Sequence, residues 1–133
     1  MSQTEAVSIS IPVPMDKIHG AIVSAFEGGA NYWLHEQDLL EGFRKPDSNL
    51  VWWGHEEVFK QPFKAQIRFE DPTKEEGNGE GVRVITNADL QRVLELMATK
   101  APRHFADLLS DQADQVTGDV LLQMIALEDI VYD

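Results

Sequence analysis

Phe63-Lys64-Ala65-Gln66-Ile67-Arg68-Phe69-Glu70 is the stretch whose period decides the fold class. Phe63, Ala65, Ile67 and Phe69 alternate with Lys64, Gln66, Arg68 and Glu70, the two-residue period of a strand with one buried face. Val82, Val84 and Thr86 repeat the alternation, with Arg83 and Ile85 on the other face. Asp71 to Gly81 lies between, rich in Gly, Asp and Glu, so the two runs read as a hairpin with a long acidic tip.

Working outward, Leu50-Val51-Trp52-Trp53 has strand composition, limited by Gly54. Adjacent side chains of a strand face opposite ways, so one tryptophan is expected on the core and the other on a surface. Val7, Ile9, Ile11 and Val13 also alternate, but Pro12 and Pro14 lack the amide that a ladder needs. That run is expected to be an edge strand.

Helices flank these runs. Pro14 and Asp16 open one that turns Ile18, Ile22, Ala25 and Phe26 inward. Gly28-Gly29 stops it, where left-handed backbone is common. Leu34 with Glu36 to Leu40 reads as a short helix ended by Gly42. Asn87 is the expected cap of a helix striped by Leu90, Val93, Leu94 and Met97. Pro102 starts another, with Phe105, Leu108 and Leu109 inward. Thr117 is the expected cap of the last, which buries Val120, Met124 and Leu127. Acids at Glu128, Asp129 and Asp133 oppose the negative end of that helix, so it should stop near Leu127 and leave Ile130 to Tyr132 extended. The expectation is α+β: one domain over residues 1–133, a small antiparallel sheet packed against three or four helices.

Composition narrows the function. The chain has 133 residues, no Cys and a formal charge of −12. Disulfides, thiolate metal sites and cysteine nucleophiles are thereby excluded. So much negative charge argues against direct nucleic-acid binding by phosphate neutralisation. No apolar run reaches the roughly 18 residues of a membrane span. Met1 to Glu5 carries neither a basic stretch nor an apolar one, so no secretion signal is expected. The last 32 residues hold 7 of the 23 acids and only one base, Arg103. Some acids have ordinary work: Asp16 and Asp119 sit near helix starts, and Glu75-Glu76 in the hairpin loop.

No phosphate loop or dinucleotide fingerprint occurs. Gly77-Asn78-Gly79-Glu80-Gly81 has the glycines, but its acids repel a phosphate and match no calcium loop. His35 and His55 precede acids without forming the helical pair of a zinc hydrolase. No metal or other cofactor is expected. His104, Asp107 and Asp111 share one helix face, a row suited to contact or acid–base work. Glu27-Gly28-Gly29-Ala30-Asn31-Tyr32-Trp33 is the most unusual stretch. Two glycines permit close backbone approach, and an amide, a phenol and an indole follow at once.

The runs Glu27 to Trp33 (E-G-G-x-N-Y-W), Pro102 to Asp107 (P-R-H-F-A-D) and Thr117 to Gln123 (T-G-D-V-x-x-Q) resemble, in the same order, motifs of a family of small, largely uncharacterised phage and prophage proteins. They cover about a seventh of the chain. Glu128-Asp129 departs from the glycine-containing turn that the family has before Val131-Tyr132. The resemblance implies a phage setting, hence the bacterial host cytoplasm, and no defined activity.

Three functional expectations follow. The first is a non-catalytic binding protein that captures a small, nucleotide-like ligand or a host protein, in a counter-defence role. Its site would comprise Glu27, Asn31, Tyr32, Trp33, Arg103 and His104, with stacking by the aromatics and charge from Arg103. The end motifs would then converge on one pocket, within the chain or across a homo-oligomer interface. The second is an acidic mimic of nucleic acid that uses the charge of Asp107 to Asp133 against a basic host protein. The third is a small hydrolase or transferase using His104 with Asp107 or Asp119.

Overall fold

In the computed structural model, residues 6–73 and 79–132 are described. The central part of the hairpin tip, the first five residues and Asp133 fall outside them, with the expectations placed there. The fold is α+β: a three-stranded antiparallel sheet and four helices around one core cluster. Strands β1 (Leu34–Glu41), β2 (Lys64–Glu70) and β3 (Glu80–Thr86) lie in the order β1-β2-β3. The helices are α1 (Met15–Ser24), α2 (Asn87–Lys100), α3 (Pro102–Leu109) and α4 (Gln115–Ala126). Among the described residues no helix is long and apolar enough to cross a membrane.

β2 keeps the alternation read from it, with Ala65, Ile67 and Phe69 buried. β3 pairs with it as a hairpin, but the faces of β3 are the reverse of those expected. Ile85 faces the core opposite Ala65, while Val82 and Val84 lie on the open face opposite Arg68 and Gln66. Gly81 explains the choice, because it pairs with Phe69 and its missing side chain makes room for that ring.

Leu34 to Leu40 is strand β1, not a short helix. Leu34 pairs with Phe69 and Leu39 with Ala65, and both leucines are buried. They are five residues apart, and a register shift after Leu34 breaks the alternation that would have marked a strand. Leu50 to Trp53 is no strand. Trp52–Gly54 forms a short 3₁₀ turn that sets both tryptophans, each half-buried, on the edge of Phe26. Residues 6–14 belong to no helix or strand, so the expected edge strand pairs with nothing among the described residues.

Thr86, not Asn87, caps α2: its amide is bonded to the Asp89 carboxylate at 2.7 Å in a reciprocal capping box. Asn87 instead accepts from the amide of Phe63 and donates to the Gln61 carbonyl, tying the loop before β2 to the helix. Asp114, not Thr117, caps α4 and accepts from the Thr117 amide at 3.0 Å. That bond holds the Asp114 carboxyl below the ordinary carboxylate range. α4 ends at Ala126, close to the expected stop.

α4 is the centre of the molecule, with every residue from Thr117 to Ala126 buried. A helix enclosed on all sides needs neighbours that come close. A Cβ on Gly118 would stand 2.5 Å from the Ala21 carbonyl oxygen, and one on Gly29 would stand 2.5 Å from that of Gln115. α1 continues through a π-helical turn, Ala25–Gly29, so that this close contact extends to the glycine pair. Neither Gly28 nor Gly29 has a left-handed backbone. Close approach to α4, not a left-handed cap, explains Gly29.

Gly118→Ala should therefore destabilise the fold by about 1–3 kcal/mol. Gly20→Ala should stabilise it by about 0.5–1 kcal/mol, since a Cβ there meets nothing within 4 Å in the middle of α1. Urea unfolding of both variants, followed by far-UV circular dichroism, checks the opposite signs.

Candidate functional site

Asp119 enters the interior one turn into α4. Its Oδ2 accepts the Tyr32 hydroxyl at 2.6 Å, and its Oδ1 accepts the Trp33 indole N–H at 2.7 Å. Gln123, one turn further along, donates to the same Oδ1 at 3.3 Å. The E-G-G-x-N-Y-W and T-G-D-V-x-x-Q runs thus close on one another through a buried carboxylate.

Gln123 carries the connection to the C-terminal strap. Its side-chain oxygen accepts from the amides of Val131 and Tyr132 at 2.8 and 2.9 Å, and its nitrogen donates to the Tyr132 carbonyl at 3.1 Å. Tyr132 stacks on Trp33 with ring centroids 5.5 Å apart, and its hydroxyl donates to the Glu70 carbonyl at the end of β2. Burial raises the Tyr132 phenol above its ordinary value, and the negative charges of Glu70 and Asp71 add to that. Trp33 also meets Phe69 edge-on. One helix, one turn, one strand end and the chain terminus therefore share a continuous network.

The six residues expected to bind a ligand are distributed unevenly. Trp33 is fully buried, and the one polar atom of its side chain is taken by Asp119. Tyr32 is 53% exposed although its hydroxyl points inward. Glu27 and Asn31 are exposed beside it in the chain. Arg103 and His104 occupy the first turn of α3. No hydrogen bond or ion pair among the described residues joins either of them to Glu27, Asn31 or Trp33. None of the six lines the cleft between residues 9–13 and α2, or the one between α1 and the end of α3.

The His104 row does not converge. Asp111 has turned away to pair with Lys17 at 3.2 Å, and no three His, Asp or Glu side chains among the described residues form a metal-holding group. His104 Nδ1 is buried without a partner among the described residues. Asp119 is engaged by Tyr32 and Trp33, so it does not orient His104. Of the acids invoked for nucleic-acid mimicry, Asp114 is a cap and Asp119 is internal. The signal for this buried network was the polar i, i+4 pair Asp119 and Gln123 inside an otherwise apolar helix, since buried polar groups require partners.

No family model, no curated protein and no solved structure matches the chain.

Asp119→Ala takes from the buried Trp33 indole the acceptor of its N–H, and with it the bonds from Tyr32 and Gln123, and should cost about 3–5 kcal/mol. Trp33→Phe should cost about 1.5–3 kcal/mol, and added to Asp119→Ala it should cost clearly less than alone. Additive losses in denaturant melts would show that the two groups are not coupled. The Tyr132 phenol, with its folded-state pKa raised, contributes stability that is full below its unfolded pKa of about 10 and is lost as pH rises through the folded value. Melts between roughly pH 9 and 11 should thus fall more steeply for the natural chain than for Tyr132→Phe.

Proposed function

We propose that the chain is a non-catalytic binding protein of phage origin that captures a host protein, with Tyr32 as the anchor of its contact surface. The orientation of Tyr32 carries this reading. An amphipathic tyrosine usually buries its ring and sends its hydroxyl to water. Tyr32 does the opposite: its hydroxyl is held at 2.6 Å by the buried Asp119 while the residue, its ring edge-on to Tyr132, is 53% exposed. A ring held in that way presents apolar area with its conformational entropy already lost, the property that makes tyrosine an interface anchor.

The surroundings suit a protein partner. Glu27, Asn31 and the half-exposed Val116 supply charge, hydrogen bonding and apolar area near the ring, since Val116 shares a face of α4 with Asp119. A chain of net charge −12 favours a partner with a basic rim. The phage setting, the host cytoplasm and a counter-defence role rest on the resemblance of the three motifs.

The test compares capture of host proteins by the natural chain, Tyr32→Ala and Asn31→Arg, the last altering only an exposed side chain. One host protein should be retained by the natural chain in a salt-sensitive manner, with affinity at least about tenfold lower for both variants. Equal retention by all three would overturn the reading. So would native mass spectrometry showing a nucleotide-sized ligand on the chain and no host protein.

A further inference from the structure

The segment that leads into α1 leaves the core by degrees. Val13 is half-buried and packs on the core, whereas Ile11 is 46%, Ile9 80% and Val7 93% exposed. No residue from Ala6 to Met15 is charged, in a protein whose net charge is −12.

Between this segment and α2 lies an open cleft of about 1030 Å³, at the upper end of the size of small-ligand sites. The buried Ile18 and Leu90 line it, with the half-buried Leu94 and Phe105 beside them. Ile9 and Ile11 line it from the other side. An apolar body placed there covers side chains of both walls, and each methylene it brings out of water tightens binding by about threefold to fourfold.

The lining has one charged side chain, Glu95, and no base. Glu95 Oε1 accepts from Gln91 Nε2 at 3.2 Å, one turn earlier on α2, and both side chains line the cleft. The bases of α2 are taken elsewhere, Arg92 by Asp89 and Glu128 and Lys100 by Asp129. Among the described residues no ion pair occupies the Glu95 carboxylate. A carboxylate or phosphate head group in the cleft would meet Glu95 with nothing to offset the repulsion, whereas an ammonium group would meet its counter-charge.

We propose that this cleft binds a cationic amphiphile, a small molecule whose aliphatic body lies between Ile9, Ile11 and the Leu90–Leu94 face of α2 and whose protonated amine pairs with Glu95. The apolar walls supply the affinity, and Glu95 supplies the choice of sign. The site uses neither Tyr32 nor Asp119, so its failure leaves the capture of a host protein untouched.

Titration of the full chain, labelled with nitrogen-15, with n-hexylammonium, n-octylammonium and octanoate below their micelle concentrations tests the proposal. Amide shifts at residues 9–13 and 90–98 should saturate, with a Kd for octylammonium on the order of 1 mM or tighter. Hexylammonium, two methylenes shorter, should bind about tenfold more weakly. Octanoate should bind at least about threefold more weakly than octylammonium. Glu95→Gln should remove most of that preference, whereas Asp38→Asn, the same charge change on β1 outside the cleft, should leave it. Ala98→Trp, which puts a ring into the cleft, should weaken octylammonium at least about tenfold, with the amides remote from α2 unshifted to show that the variant is folded. Absent saturation at these residues, a preference reduced as much by Asp38→Asn as by Glu95→Gln, or binding that Ala98→Trp leaves intact would overturn the proposal. Nuclear Overhauser contacts from the Ile9 and Ile11 methyls to Leu94 in the unliganded chain would overturn it equally, because the segment itself would then fill the cleft.

Discussion

A carboxylate moved out of water costs several kcal/mol unless donors replace its hydration, and Asp119 sits in the interior with three of them. The donors come from a phenol, an indole and an amide, each itself neutral. Indole nitrogen can only donate, so a buried Trp33 requires an acceptor as strictly as Asp119 requires donors. Each group removes the other's penalty, and this mutual need fixes the turn before β1 against the middle of α4. The strap that Gln123 holds is fixed to the same point.

Much of the remaining architecture is what this bond demands. Asp119 reaches Tyr32 and Trp33 because α1, its π-helical extension and α4 lie in near backbone contact, which Gly118 and Gly29 allow. The stack of Trp33 on Tyr132 and its edge contact with Phe69 carry the constraint to the sheet. Tyr32 is a member of the network that also reaches the surface, with 53% of it exposed. A residue whose role is internal thereby presents a fixed ring to solvent.

Elements with an unbroken period were legible in the sequence. β2 declared itself by strict alternation, and α2 by its apolar stripe from Leu90 to Met97. The start of α3 at Pro102 and the end of α4 near Leu127 followed from backbone chemistry and the helix dipole. β1 was hidden because a register shift separates its two buried leucines. The facing of β3 was hidden because a glycine, not a valine, holds the core position beside Phe69. The run from Val7 to Val13 has a strand's pattern, yet it joins no strand of the sheet among the described residues. The candidate site was half legible: the unusual Asn31-Tyr32-Trp33 run stood out, while the carboxylate that explains it looked like an ordinary acid near a helix start. Distance along the chain hides a contact between residues 87 positions apart. The negative charge of the C-terminal quarter likewise dissolves into particular tasks, with Asp114 capping, Asp119 bonding inside and Asp111 pairing with Lys17.

The central claim is that the Asp119 bond belongs to the most stable part of the molecule. Indole N–H exchange with deuterium, followed by NMR on the natural chain, tests it directly. The Trp33 Nε1 proton should exchange only through global unfolding, with the opening free energy of the slowest backbone amides of α4. If it exchanged as readily as the half-buried Trp53 indole, the bond would open locally and could not be what holds these segments together.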